Sequence, residues 1–597
     1  MSLRIRLLGA PRIERDGEPG AGPRGNKAWA LLAYLLLSRQ PSSRRKLAEL
    51  LFSEADDPLG ALRWSLAQLR QALRQPNALR GDPVDLALEP GTEIDLRRLR
   101  SVRLPEVDEI GAVTGELLEG MTFATSPAFE AWLAVERRHL AATAQALLLE
   151  RAQAELGVGD PGTAARLATR LLELNPLEEA HHELLVRCLV ATGDRNAALA
   201  RVEACEDLLR RELGSAPSSR LREIVRVAEG PPAPTAKVGA ATARGQLEAG
   251  KAAIGAGAVD AGLESLRRAC AAAKSCGDEY LQARAQLALG SSLVHGMRAY
   301  GEAAVALHRA ADLAVRIGAN AIAATAHREL GFVDVQAGRR ERAEAWLAQA
   351  AEEAADLDEE LASIASVRGM SLSDAARYEE AIESFDDSIE RARRGEHRRQ
   401  AAFSLALSGR VHVLTSRDPQ AREVLGQSLE LVEEEKWLAF APLPEALLAL
   451  VDLREKRVDA AGEALEHAFT IACQVADPCW EGIACRGLGL VEAARGRGPQ
   501  ALAWLTDGRT RCTRVTHPYQ WIHGWVLDGM CSIGHRDERA AGWIDELESL
   551  ASRTGMRELL LRAYLHRARR GDARARDAAS LLGPEIDNPS VWADEAT

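Results

Sequence analysis

From residue 240 to about residue 582 the apolar positions of this chain keep one beat. An Ala-x-x-x-large pair recurs at Ala303/Leu307, Ala343/Leu347, Ala381/Phe385, Ala421/Leu425, Ala461/Leu465, Ala501/Leu505 and Ala540/Ile544, at intervals of 38 to 40 residues. Gly290, Gly331, Gly369, Gly409 and Gly489 repeat in step on the preceding apolar segments. Apolar residues spaced by three and four over such lengths predict helices. A small residue set against a large one once per interval predicts helices paired closely, so that seven or eight stacked hairpins form a solenoid with a long concave surface.

The segment from about 105 to 229 has a shorter period. GDPGTAARLATRLLELNPLEEA and GDRNAALARVEACEDLLRREL align with each other and set Ala164 and Ala198 34 residues apart. Between the two periodic regions, GPPAPTAKVG at 230–239 has the composition of a linker. Residues 583–597 show no periodicity and are expected to be a loose end.

The first 100 residues follow a different pattern. Leu3, Ile5 and Leu7 alternate with Arg4 and Arg6, the period of a half-buried strand. A second strand, Arg12 to Arg15, ends at the Asp16-Gly17 turn signal. Three helices follow: Asn26 to Ser38 with Asn26 as N-cap, a helix capped by Ser42 or Ser43 that buries Leu47, Leu50 and Leu51, and Pro58 to Arg74. In the third, Leu59, Leu62, Leu66, Leu69 and Leu73 form the core-facing stripe. Arg63, Arg70 and Arg74 flank that stripe, and Trp64, Gln68 and Gln71 point away from it. Pro83 to Leu99 reads as a hairpin that turns at Glu89-Pro90-Gly91-Thr92. Strands, three helices and a terminal hairpin are the order of a winged helix, whose third helix enters the major groove. The fold class is therefore mostly α, an N-terminal α+β winged helix-turn-helix followed by an α-solenoid of helical hairpins.

Charge supports this division. The chain of 597 residues carries a net charge of −12, yet residues 1–100 hold 17 Lys and Arg against 12 Asp and Glu, a basic head on an acidic body. Aromatic residues make up only 4% of the chain. The longest apolar run, Ala28 to Leu37, has ten residues, short of the roughly 18 that a membrane span needs, and the start of the chain alternates apolar and basic residues, so no membrane association and a cytoplasmic location are expected. Nine cysteines without paired spacing fit reduced thiols. Cys473, Cys479 and Cys485 lie six residues apart, outside the two-to-four spacing of paired zinc ligands, so no metal site is expected.

The head, through LRIRLLGAPRIERDG, KAWALLAYLLL and LRWSLAQLRQAL, resembles the OmpR-type winged helix at the head of the antibiotic-regulatory-protein class of bacterial activators. FEAWLAVERR, LNPLEEAHHELLVRCLVATGDRNAALARVEAC and RRELGSAPSSRL resemble the bacterial transcriptional activator domain, over residues 105–229. The 40-residue period resembles long tetratricopeptide repeats, over residues 240–582. The wing departs from the family pattern, because VDLALEP lacks the Gly-Tyr that such hairpins often carry. The resemblance implies double-stranded promoter DNA as partner for residues 1–100. It also implicates the loop between the second and third helices, with Glu54, Asp56 and Asp57, in touching RNA polymerase; a solvated turn is the other reading of these acids.

Residue type then assigns roles. Arg63, Arg70 and Arg74 suit phosphates or guanine edges, Gln68 and Gln71 suit adenine edges, and Trp64 suits a sugar or thymine methyl or else packs under a loop. Lys27, Arg44, Arg45 and Lys46 suit backbone phosphates at helix starts. The body is expected to form a homodimer and to take a protein or small-molecule effector. The aromatic and His-rich stretch His517 to His535 either lines a groove or packs late repeats. GQLEAGKA, Gly245 to Ala252, matches part of a phosphate-binding loop, but Ala252 stands where Ser or Thr would hold magnesium and no strand precedes it. No cofactor and no catalysis are expected. The rival reading is a peptide-binding scaffold whose head is a degenerate protein-contact domain.

Overall fold

The computed structural model describes residues 3–38, 41–99, 115–214, 220–227, 239–297, 299–355, 357–514, 518–588 and 590–593. The expected linker at 230–238, the start of the activator domain at 105–114 and His517 lie outside the described residues.

The head opens with three antiparallel strands, β1 (Leu3–Arg6), β2 (Arg12–Arg15) and β3 (Glu18–Gly20), that pair in sequence. Three helices follow, α1 (Asn26–Leu37), α2 (Arg44–Phe52) and α3 (Pro58–Leu73). Asn26 is the first residue of α1 and Gly25 takes the cap position, with no side-chain capping bond. Ser43 caps α2, accepting from the Lys46 amide, and Asp57 caps α3, accepting from the Gly60 amide.

The wing lies elsewhere than expected. β4 (Leu79–Arg80) pairs antiparallel with β5 (Asp85–Leu86) through a turn at Gly81 to Val84, so the hairpin precedes Glu89. Glu89 to Thr92 does turn the chain, but it delivers β6 (Glu93–Ile94) parallel to β1, in the register Ile5 opposite Ile94. Asp95, which opens α4 (Asp95–Arg98), explains this choice. Its buried carboxylate accepts from the amides of Leu7 and Leu8 at 2.7 and 2.8 Å and so satisfies the end of β1.

The compact unit built on the head reaches beyond residue 100. It comprises residues 1–147 together with 567–583. Phe129, Leu133, Leu140 and Leu147 on α5 (Pro127–Val158) enter the same core as Ile5, Leu31 and Leu66, and Leu581 packs against it. Tyr34 meets Trp132 at 5.0 Å between ring centroids, and Arg137 donates to the carbonyls of Leu117 and Leu118. The physical cause is the apolar face of α5, which the head core covers.

The second unit comprises residues 148–566 and 584–597. Helices α6 (Pro161–Leu174), α7 (Glu179–Ala191), α8 (Arg195–Leu213) and α9 (Arg220–Val227) come first, with Ala164 and Ala198 both fully buried. Among the described residues eight helical hairpins follow, from Ala240–Gly255 paired with Val259–Cys276 to Gln520–Ile533 paired with Ala540–Thr554. The beat of the sequence is a contact. A Cβ on Gly409 would stand 2.5 Å from Leu425, and Gly290, Gly331, Gly369 and Gly489 face Leu307, Leu347, Phe385 and Leu505 in the same way. Gly245 to Ala252 falls inside the first of these helices, so it forms no phosphate-binding loop.

Residues 584–588 and 590–593 are not the loose end expected. Asn588 donates to the Leu414 carbonyl at 3.1 Å and to Glu558 at 3.0 Å, and Val591 is buried. Two side-chain anchors hold a segment that lacks periodicity.

Buried charge within the repeats sets an acid limit. Glu329 sits 3.0 Å from His295 and 3.1 Å from Arg328. Burial alone would raise its carboxyl, but the His295 ring and the Arg328 guanidinium beside it hold it down at about 2, against 4.5 for a free Glu. A lowered carboxylate contributes stability that is present above the unfolded value and lost as pH falls through the folded one. Glu329→Gln is therefore expected to cost about 3 kcal/mol at pH 7, a deficit that narrows as pH falls towards 2. Urea unfolding at a series of pH values reads this; a deficit independent of pH would contradict it.

Candidate nucleic-acid interface

Helix α3 is held on one side by its apolar residues. Leu62, Leu66, Leu69 and Leu73 are buried in the head core, as the spacing requires, but Leu59 is 48% exposed because it lies in the first turn, short of that core. Arg63, Trp64, Gln71 and Arg74 are exposed, and Gln68 is half-buried. Arg74 ends the helix in the left-handed region at φ 52°.

Arg70 is not on the open face. Its Nε and Nη2 donate to the Leu79 carbonyl at 3.1 and 2.6 Å, so the guanidinium fixes the first wing strand to the helix. Arg70→Ala is expected to lower the stability of the head by about 1–3 kcal/mol, since it leaves the carbonyl of a buried residue without its charged partner. Thermal unfolding measures this. A loss of DNA affinity with no loss of stability would return Arg70 to the contact face.

The start of α2 is similarly engaged. The Arg44 side chain donates to the Gly81 carbonyl at 3.0 Å, and its amide donates to Asp82 at 2.9 Å, so Arg44 braces the wing turn. Its Nε and its amide are thereby engaged at the wing turn. Arg45 is exposed and pairs with Glu49 at 2.8 Å, and Lys46 is half-exposed. Lys27 stands over the Phe52 ring at 5.3 Å.

In the loop before α3, Asp57 caps the helix and lies 3.5 Å from Arg63, and Glu54, Asp56 and Asp57 are all exposed. Trp64, 52% exposed, borders a shallow groove of about 550 Å³ with Gly25, Lys27, Phe52, Ala61 and Phe123. The ring thus stands beside the start of α1.

Two exposed cations escaped the sequence reading. Arg80 precedes the tip of the wing and donates to Asn77, and Arg24 precedes α1 in the Trp64 groove. The Arg80-Gly81-Asp82-Pro83 turn signal could have located the wing and its cation. The exposed face of α3 combines guanidinium and amide groups on a rigid helix, the chemistry that reads base edges and phosphates.

Of the three tempting cysteines, Cys473 is exposed and Cys479 and Cys485 are buried. Among the described residues no three His, Cys, Asp or Glu side chains are grouped as a metal site, and no helix is long and apolar enough to cross a membrane.

Residues 113–226 match the family model of the bacterial transcriptional activator domain. No curated protein matches the chain. Among solved structures the chain is similar to a Rap protein complexed with competence and sporulation factor, at 13% identity over 52% of this chain and 89% of that one, with a TM-score of 0.42. It is also similar to Mycobacterium tuberculosis EmbR in complex with a low affinity phosphopeptide, at 19% identity over 38% and 64% with a TM-score of 0.32. Yeast Tom70 matches at 12% identity over 71% and 95%, with a TM-score of 0.32. Similarity at this level transfers no ligand or activity.

Proposed function

We propose that this chain, which carries a bacterial transcriptional activator domain at residues 113–226, regulates transcription by binding promoter DNA through the winged head. The observation that carries the reading is the outward face of α3, where Arg63, Gln71 and Arg74 are exposed on a helix whose opposite side is locked in the head core. Arg63 and Gln71 read base edges, Arg74 and Arg45 hold phosphates, and Arg80 serves the wing. Exposed Glu54 and Asp56 form the surface offered to RNA polymerase, while Asp57 is spent on capping α3. The repeats take the regulatory partner, and no catalytic step is required.

A gel shift with genomic fragments, including the chain's own upstream region, tests the reading. Arg63→Ala is expected to weaken specific binding by about tenfold or more while changing binding to random duplex less, because a good base contact is worth about 1–3 kcal/mol of discrimination. Arg45→Ala should weaken both alike. Equal effects of the two substitutions would remove Arg63 from base reading. Failure to shift any fragment would favour the scaffold reading, in which the Trp64 groove receives a protein.

A further inference from the structure

The repeats surround a chamber of about 540 Å³, within the usual range of ligand sites. Its wall draws on seven successive hairpins, from His295 through Gln336, Gln400 and Trp437 to Trp480 and Trp521. The chain has 11 Trp, 6 Tyr and 8 Phe, and eight of these aromatics line this one space. Phe332, Phe403, Trp437 and Trp480 are only half-buried there. Trp437 stacks on Phe440 at 4.5 Å and 14°, Phe403 meets Phe440 at 5.4 Å, and Trp480 meets it edge-on at 6.1 Å. Flat ring faces, partly uncovered, are therefore gathered in a chain otherwise poor in them.

Solenoid repeats normally touch only their neighbours; here they meet across the body. The Tyr519 hydroxyl, at the start of the eighth hairpin, donates to Asp374 of the fourth at 2.9 Å and accepts from Arg410 of the fifth at 2.7 Å. Tyr378 donates to Glu558 at 2.6 Å, and Arg340 donates to the Thr554 carbonyl. These contacts fasten the last repeats to the third, fourth and fifth hairpins across the body, which suits a compact ligand rather than a peptide lying along an open groove.

The wall also constrains charge. Arg328 is paired with Glu360 at 2.6 Å and Glu329 at 3.1 Å, and Arg410 with Asp374 at 3.0 Å. Asp477 accepts from the amides of Cys479 and Trp480, and Arg399 stacks on Trp437 at 5.7 Å while lying 3.7 Å from Glu435. Two lining side chains nonetheless keep a buried polar atom without a partner among the described residues: Gln336 Oε1, an acceptor, and Arg410 Nε, a donor. Gln336 is 4% and Arg410 1% exposed, so leaving these atoms unpaired is costly.

We propose that this chamber binds a small, uncharged, planar aromatic molecule. Its rings lie against Phe403, Trp437 and Trp480. The aromatic half of the His517 to His535 stretch is thereby divided. Tyr519 and Trp521 face the chamber, whereas Trp525 packs behind Trp521 and under Arg486. The proposal stands independently of DNA binding by the head.

The test is calorimetric titration of the full chain with three uncharged probes, 6-hydroxyflavone, 2-hydroxyanthraquinone and 6-hydroxy-1-tetralone, beside flavone-6-carboxylate and an uncharged apolar hexapeptide. Saturable one-to-one binding of at least one uncharged probe, tighter than the carboxylate and the peptide, is expected. Trp437→Ala and the milder Phe403→Leu should each weaken it, the former by about tenfold. Tyr280→Ala, outside the chamber, should leave it unchanged, with urea midpoints confirming that each variant is folded. No saturable binding of any uncharged probe, tighter binding of the carboxylate or peptide, or insensitivity to both chamber substitutions would overturn the proposal.

Discussion

Arg342→Met is expected to destabilise the repeat body by about 3–5 kcal/mol, the usual cost of leaving one member of a buried ion pair alone. Arg342 is 1% exposed and donates from Nε and Nη2 to the two oxygens of Glu150 at 2.6 and 2.7 Å. The pair fastens the later part of α5 to the third repeat hairpin. Nearby, Gly157 leaves so little room that a Cβ would stand 3.0 Å from the Val305 carbonyl, and Arg309 donates to the Gly157 carbonyl. Burial pushes the Glu150 carboxyl up to about 7 even against the pull of Arg342. A raised carboxyl contributes stability below its unfolded value that is lost as pH rises through the folded one. Without Arg342 the lone carboxyl should take up a proton still more readily, so the deficit should be larger at pH 8 than at pH 5. Glu150→Met added to Arg342→Met should restore much of the loss, because two apolar side chains carry no stranded charge. Urea midpoints at both pH values for the single and double variants measure this. A double variant as unstable as the single one would assign the loss to packing against Trp346, whose ring lies 5.3 Å from the guanidinium.

The repeats were legible because their cause is local and periodic. Each glycine faces a large residue on the next helix, and both positions recur at one interval. The core stripe of α3 was legible for the same reason, apart from Leu59 in its first turn. The wing was not, since both Gly81-Asp82-Pro83 and Glu89-Pro90-Gly91-Thr92 signal turns. What decides between them is Asp95 capping β1 from 87 residues away. For Arg70, spacing gives a direction on the helix but not whether a carbonyl such as that of Leu79 waits there. The chamber was only half legible. The aromatic stretch after His517 was visible, but the Tyr519, Asp374 and Arg410 contacts join polar residues up to 145 positions apart without a periodic mark.

Binding of duplex DNA by the winged head is the central claim, and its salt dependence is the expected result of largest size. Arg74, Arg45, Lys46, Lys27 and Arg80 on α3, α2, α1 and the wing are expected to make about five phosphate contacts, so log affinity should fall with log salt at a slope near −4 to −5. Between about 50 and 200 mM salt that slope amounts to a loss of several hundredfold in affinity. Removing one phosphate contact, as in Arg45→Ala, should reduce the slope by about one, whereas Arg70→Ala should leave it unchanged. The most direct measurement is the affinity of the full chain for a fluorescent duplex from its own upstream region across that salt range. A slope of −4 to −5 is predicted; binding that does not weaken with salt, or no binding at the lowest salt, would contradict it.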